Sequence, residues 1–89
     1  MIGILGFGKM GEAIVQGSRS NTFMGTVRSK ERADTLSEKL NLSITTDNLA
    51  LTKKCRTIVL SVKPFQVEAV LKQIRPRLTP QHHLISICA

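Results

Sequence analysis

The chain has 89 residues, enough for one compact domain, and we expect residues 1–89 to form that single domain. Hydrophobic residues make up 42% of the sequence and charged residues 21%, a globular composition that excludes a disordered chain. The formal net charge is +7, but the 13 basic residues are scattered and the three aromatic residues are all Phe, so the sequence lacks the basic and aromatic platform of a nucleic-acid-binding protein.

Five short apolar runs alternate with helical segments along the chain. The apolar residues of the helical segments recur at spacings of three and four, whereas the runs between them are rich in Ile, Val and Leu. The predicted strands are residues 2–5, 23–27, 42–45, 57–62 and 84–87, and the predicted helical segments are residues 9–20, 30–40, 47–51 and 64–78. Ser29 is predicted to cap the second helix, Pro64 to begin the last, and Asn21 to end the first.

This alternation predicts an α/β fold in which parallel strands are joined by right-handed helical crossovers. An aliphatic core suits such a sheet, because parallel strands are buried on both faces. We therefore expect a doubly wound parallel sheet of five strands with helices on both faces.

The turn after the first strand carries the motif G-x-G-x-x-G, at Gly6, Gly8 and Gly11. The spacing alone is a weak signal, but here it follows a predicted strand and opens a predicted helix. In that context Gly6 permits the tight turn, Gly8 lets a pyrophosphate approach the backbone, and Gly11 lets helix and strand pack closely. The first helical amides, near Lys9 and Met10, then point at the phosphates, so the motif predicts a Rossmann-like dinucleotide site.

The end of the second strand bears on which dinucleotide is bound. NAD-binding folds usually carry Asp or Glu there, whereas this sequence reads Arg28, Ser29 and Lys30. Arg28 can pair with a 2′-phosphate through its planar guanidinium group, and Ser29 can donate a hydroxyl hydrogen bond. We expect NADP(H) to be preferred over NAD(H), the alternative being that Arg28 and Lys30 are merely solvated.

Ligands of doubly wound sheets lie beyond the carboxyl ends of the strands, where the strand order reverses. The fourth strand is followed by Ser61, Val62, Lys63 and Pro64, and the fifth by Cys88 and Ala89. Backbone groups in these segments are placed to meet the nicotinamide half of a dinucleotide. Lys63 either touches a ribose or a substrate carboxylate, or is simply exposed.

The two cysteines and two histidines do not form a metal-binding pattern. Cys55 and Cys88 are far apart, and His82 and His83 are adjacent, so no metal is expected. No apolar run approaches 18 residues, and no signal segment precedes the first strand. We expect a cytoplasmic protein with no membrane or nucleic-acid partner.

Several stretches together resemble the pyrroline-5-carboxylate reductase family. They are the glycine motif with Met10 before Gly11 and Ala-Ile after Glu12, the pair Arg28-Ser29, the turn Val62-Lys63-Pro64, and the strand Ile85-Ser86-x-x-Ala89. The resemblance spans all 89 residues, which is the first third or so of a typical member. The segment of residues 18–23 is several residues shorter than its counterpart in the family.

The resemblance implies an NAD(P)H-dependent reduction of 1-pyrroline-5-carboxylate to L-proline, in which the cofactor supplies the hydride. It places the adenosine 2′-phosphate at Arg28 and Ser29, the adenine ribose near Asn48, and the nicotinamide beside Ser61–Pro64, Cys88 and Ala89. The expected cofactor-binding residues are Leu5, Gly6, Phe7, Gly8, Lys9, Met10, Gly11, Arg28, Ser29, Asn48, Ser61, Val62, Lys63, Pro64, Cys88 and Ala89.

The family's helical C-terminal domain is not part of this sequence. By the resemblance, that domain forms a homo-oligomer and binds the substrate, so the catalytic residues are unassigned and the 89-residue chain is expected to be inactive alone. Alternatives are a stand-alone NADP-binding module and the N-terminal domain of another reductase, such as a deazaflavin-dependent one. Apolar faces left exposed would also permit the chain to self-associate.

Overall fold

The computed structural model describes residues 1–18 and 22–87, which form one parallel sheet flanked by helices. The strands are β1 (Ile2–Leu5), β2 (Phe23–Thr26), β3 (Ser43–Thr45), β4 (Thr57–Leu60) and β5 (His83–Ser86). The helices are α1 (Lys9–Gly17), α2 (Lys30–Leu40), α3 (Asn48–Lys54) and α4 (Val67–Ile74), with 3₁₀ turns at Pro64–Gln66 and Arg75–Arg77.

The strand order is β3-β2-β1-β4-β5, and every neighbouring pair is parallel. The chain first builds outward from β1 to β3, then crosses back to place β4 on the other side of β1. This reversal between β1 and β4 is the switch point of a doubly wound fold. The predicted fold class is confirmed.

Two aliphatic clusters cover the two faces of the sheet, because successive residues of a strand point to opposite sides. On one face, Ile4 and Val59 pack with Phe7, against apolar residues of α1 and α2. On the other face, Leu5 and Ile58 pack against α3 and α4. Helices on both faces are therefore confirmed.

Helix ends are fixed by local hydrogen bonds. The Ser29 hydroxyl accepts a hydrogen bond from the Arg32 amide at 3.1 Å, which confirms the predicted cap of α2. The Asp47 carboxylate accepts from the Leu49 and Ala50 amides at the start of α3. At the end of α2, Asn41 adopts φ 54°, a left-handed conformation that asparagine tolerates.

Several predicted boundaries are wrong. The first helix ends at Gly17 rather than near Ser20, and the predicted stop at Asn21 lies outside the described residues. The helical turn predicted to end at Leu51 continues to Lys54. Strands β2 and β4 end before Val27 and Ser61, β3 begins at Ser43, and β5 lies one residue earlier than predicted.

Strand β5 also departs from the expectation of burial on both faces. All four of its residues are exposed, and Leu84 and Ile85 retain 41% and 48% of their accessible surface. It lies at the edge of the sheet, paired on one side with β4. Among the described helices, none has the length and apolar character needed to span a membrane.

Candidate functional site

The glycine turn lies between the carboxyl ends of β1 and β4. Gly6 has φ 79°, a conformation that favours glycine, and a Cβ atom there would lie 2.5 Å from Cγ1 of Val62. The turn therefore tolerates no side chain at Gly6. This confirms the tight-turn role expected from the sequence.

Thr26, a residue that the sequence did not single out, holds this turn in place. Its hydroxyl accepts from the Gly6 amide at 3.3 Å, and its carbonyl accepts from the Phe7 amide at 2.6 Å. Thr26 and Phe7 are both buried, and the Leu5 side chain is fully buried as well. The amides of Gly6 and Phe7 are thus engaged within the protein, so Leu5, Gly6 and Phe7 shape the turn rather than offer free amides to a phosphate.

The free backbone donors begin one step later, at the start of α1. Gly8 caps this helix with its backbone, and its carbonyl accepts from the Glu12 amide at 2.9 Å. The first amides of a helix have no partner within it, so those near Lys9 and Met10 are available to an anion. A Cβ atom on Gly8 would meet nothing within 4 Å, which leaves open space for a ligand.

Gly11 has the packing role expected of the third glycine. A Cβ atom there would lie 3.1 Å from Cδ2 of Phe7 and 3.2 Å from Cγ2 of Ile4. Glycine therefore allows α1 to rest directly on β1 and the turn. By contrast, Lys9 and Met10 are exposed, so their side chains remain at the surface.

A cleft of about 800 Å³ opens beside the glycine turn, within the size range of ligand sites. Its walls come from the ends of β1, β2 and β4, the starts of α2 and α3, and one face of α4. The lining residues are Gly6, Phe7, Thr26, Val27, Arg28, Arg32, Thr46, Asn48, Val62, Lys63, Phe65, Gln66, Ala69, Val70 and Gln73.

The cleft brings together six of the predicted site residues: Gly6, Phe7, Arg28, Asn48, Val62 and Lys63. Eight described ones do not line it: Leu5, Gly8, Lys9, Met10, Gly11, Ser29, Ser61 and Pro64. Of these, the residues from Gly8 to Gly11 adjoin it, because they follow Gly6 and Phe7 directly. Cys88 and Ala89 lie outside the described residues.

Two arginines line the cleft where α2 begins. Arg28 follows β2, as the sequence predicts, and Arg32 lies one helical turn further on. Ser29 lies between them, but its hydroxyl accepts the Arg32 amide as the helix cap. Two arginines therefore line the cleft, and the Ser29 hydroxyl, which accepts this amide, can still donate its own hydrogen.

The segment after β4 is hydrogen-bonded to the end of β1. The Ser61 amide donates to the Leu5 carbonyl at 2.9 Å, which ties β4 to β1. Beyond it, the Lys63 amide donates to the Gln66 side chain at 3.2 Å, and the Gln66 amide donates to the Lys63 carbonyl at 2.8 Å. Pro64 begins this 3₁₀ turn, not α4 itself. The arrangement fixes where Lys63 enters the cleft.

Four of the nine lining residues that the sequence did not predict lie on α4 or just before it. Gln66, Ala69, Val70 and Gln73 recur at spacings of three and four, so they share one side of this segment. Arg32 lies in the first turn of α2, four residues after Arg28, and only the fold shows that both line one cleft. Phe65, at 78% exposed, lies at the cleft mouth.

Cys55 plays no part in this site. Burial raises the pKa of its thiol, so it remains protonated and packs as a small apolar group beside β1. Within residues 1–18 and 22–87, no three histidine, cysteine or acidic side chains gather as metal ligands would. The chemistry of the cleft rests on backbone amides, arginine and lysine, a set suited to phosphate groups.

Comparisons with known proteins agree with this geometry. Pyrroline-5-carboxylate reductase 2 of Dictyostelium discoideum is 34% identical over 92 residues, covering 97% of this chain and 31% of that protein. The crystal structure of the 1-pyrroline-5-carboxylate reductase of Streptococcus pyogenes superposes with a TM-score of 0.81 at 31% identity, covering 99% of this chain and 33% of that one. The Plasmodium falciparum pyrroline carboxylate reductase, solved with NADP bound, gives a TM-score of 0.76 at 31% identity, covering 98% and 32%.

The chain thus spans about a third of the length of the curated relatives it matches. A family model described as NADP oxidoreductase, coenzyme F420-dependent, matches residues 1–89. The chain belongs to this family of NADP oxidoreductases, and pyrroline-5-carboxylate reductases are among the relatives that match it from end to end.

Proposed function

We propose that residues 1–89 are the NADP(H)-binding domain of an enzyme that reduces 1-pyrroline-5-carboxylate to L-proline. The observation that carries the proposal is that the start of α1 adjoins a cleft lined by two arginines at the sheet's switch point, where a helix start favours anions. The NADP-bound relative from Plasmodium supports the choice of ligand. The proposed substrate of the enzyme is inferred from the names of the relatives, which are pyrroline-5-carboxylate reductases.

We assign three groups of residues to three parts of the cofactor. Backbone amides from Gly8 to Gly11 hold the pyrophosphate, Arg28 and Arg32 hold the 2′-phosphate, and Asn48 meets the adenine ribose. The nicotinamide half extends along Ser61–Pro64. The cofactor supplies the hydride, and this chain binds and orients it.

Preference for NADP(H) over NAD(H) follows from charge at the end of β2. Two arginines line the cleft there, and no carboxylate of the described residues does. A 2′-phosphate gains charge-assisted hydrogen bonds from this pair, whereas a bare ribose hydroxyl gains much less. Glu31, which lies between them in sequence, is exposed and does not line the cleft.

Substrate chemistry requires groups beyond those of residues 1–89. The relatives are about three times as long, and we propose that their additional length supplies the substrate contacts and the homo-oligomer interface. A cytoplasmic location is proposed because Cys55 is a free, buried thiol, as is usual in a reducing compartment.

The experiment that tests this function compares two proteins. The complete gene product that contains this chain is expected to consume NADPH and form proline when 1-pyrroline-5-carboxylate is added. The 89-residue chain alone is expected to bind NADPH without turnover. Proline formation by the short chain, or none by the complete product that binds NADPH, would contradict the proposal.

A second candidate follows from the description of the matching family, which includes coenzyme F420-dependent enzymes. In that case hydride passes between a reduced deazaflavin and NADP on the same dinucleotide site. Supplying reduced coenzyme F420 and NADP instead of 1-pyrroline-5-carboxylate distinguishes the two. If the complete protein reduces NADP with reduced F420 but forms no proline, then hydride transfer from F420 is its function.

Self-association of the 89-residue chain is expected through β5. An edge strand with exposed Leu84 and Ile85 offers both unpaired backbone groups and apolar side chains to a second copy. Sedimentation should show a weight-average mass that rises with concentration, and Ile85→Lys should abolish the rise. Leu49→Lys, which changes an exposed leucine on α3, serves as the matched control. A chain that stays monomeric at all concentrations would contradict this expectation.

A further inference from the structure

One side-chain hydrogen bond crosses the cleft from α3 to α4. The Asn48 amide nitrogen Nδ2 donates to Oε1 of Gln73 at 2.9 Å, and both residues line the cleft. It joins the first residue of α3 to a residue in the last turn of α4. Gln73 is 25 residues away in sequence, so only the fold brings the two amides together.

The backbone at Asn48 has little freedom of its own. The preceding Asp47 carboxylate caps α3 through the Leu49 and Ala50 amides. The Asn48 carbonyl accepts from the Thr52 hydroxyl at 2.8 Å. What remains adjustable is the rotation of the Asn48 side-chain amide, and the bond to Gln73 fixes which of its two ends points away from α4.

We propose that Gln73 is a positioning residue that makes Asn48 present its carbonyl oxygen, Oδ1, to the nucleotide. With Nδ2 donating to Gln73, Oδ1 makes no hydrogen bond to a described residue and is free to accept one. This inference rests on the proposed function, since it assigns a task within the same nucleotide site.

The proposed function already places Asn48 beside the adenine ribose, and the orientation set by Gln73 suits that place. Arg28, Arg32 and Lys63 supply the donors that phosphates need. A carbonyl oxygen repels a phosphate but accepts from a hydroxyl or an amino group. Gln73 therefore gives Asn48 the acceptor that a hydroxyl-bearing adenosine portion requires.

The test measures the dissociation constants of NADPH and adenosine 2′,5′-bisphosphate for the chain and three variants: Asn48→Ala, Gln73→Leu and the double variant. Loss of one neutral hydrogen bond should weaken both ligands by about five- to tenfold in each single variant. The double variant should bind no more weakly than Asn48→Ala, because both changes remove the same interaction. Gln81→Leu, the same change on an exposed residue outside the cleft, should leave both constants unchanged.

Side-chain amide NMR signals of Asn48 report the orientation directly. Gln73→Glu keeps an acceptor at this position, so the hydrogen-bonded Asn48 proton signal should persist, whereas Gln73→Leu should lose it. A signal lost in Gln73→Glu would mean that Asn48 accepts from Gln73 and would overturn the proposal. Effects that add fully in the double variant, or that spare adenosine 2′,5′-bisphosphate, would also overturn it. Failure of the unsubstituted chain to bind NADPH would instead contradict the proposed function.

Discussion

Gly6→Ala is expected to destabilise the chain by about 2 to 5 kcal/mol, a large share of the roughly 5 to 15 kcal/mol that stabilises a typical domain. Two costs combine in this estimate. The left-handed conformation at φ 79° strains any residue with a Cβ atom, and that atom would also clash with Val62, including its backbone. Backbone atoms cannot move aside as the end of a flexible side chain can.

Urea denaturation followed by circular dichroism measures this loss, with Gly17→Ala as the matched control. Gly17 is the last residue of α1, and a Cβ atom there would meet nothing within 4 Å. The control should be as stable as the original chain or up to about 1 kcal/mol more stable, because alanine favours the helix. A Gly6→Ala variant as stable as the control would show that the turn does not have the geometry described.

Replacing either cleft arginine by glutamine is expected to weaken NADPH binding by about 10- to 100-fold, the value of a charge-assisted hydrogen bond. NADH affinity should change little, because NADH lacks the 2′-phosphate. The ratio of the two constants therefore isolates the contribution of Arg28 and Arg32 to selectivity. Removing both should leave a site that hardly distinguishes the two nucleotides.

Arg77→Gln is the control for the arginine variants, since it removes the same charge from an exposed turn that does not line the cleft. Ser29→Ala provides a second comparison. It should destabilise α2 by about 1 kcal/mol through the lost cap, with a smaller effect on selectivity than either arginine change. Equal losses of NADPH and NADH affinity in the arginine variants would contradict a 2′-phosphate site at these residues.

Alternation of apolar runs with helical segments was sufficient to predict the fold, since it requires no knowledge of particular contacts. The ends of the helices and strands depend on tertiary contacts, which the spacing of apolar residues does not reveal. Helix α3 extends beyond its predicted end because Thr52 is buried and its hydroxyl donates to the Asn48 carbonyl. A search for apolar spacing does not detect a buried polar residue such as this one. Gly25, inside β2, leaves room for the Phe7 ring, a contact that an apolar pattern does not reveal.

The candidate site was predictable only where it is local in sequence. The glycine turn and Arg28 are read from short motifs whose roles follow from backbone geometry. Thr26 and Gln73 were not predicted, because their roles depend on the pairing of β2 with β1 and on the packing of α4 beside α3. The cap role of Ser29 is local in sequence and was predicted correctly, whereas its contact with a 2′-phosphate stays a prediction.

The central claim is that the glycine turn and the arginine cleft form one dinucleotide site, and an NMR titration of the chain with NADPH tests it most directly. Saturable shifts are expected at the amides of Gly8 to Gly11, at Arg28 and Arg32, and around Lys63. Saturation should be reached below about 1 mM, even for a weakly binding isolated domain. No shifts at that concentration, or shifts confined to the basic turn at Arg75–Arg77, would contradict the account.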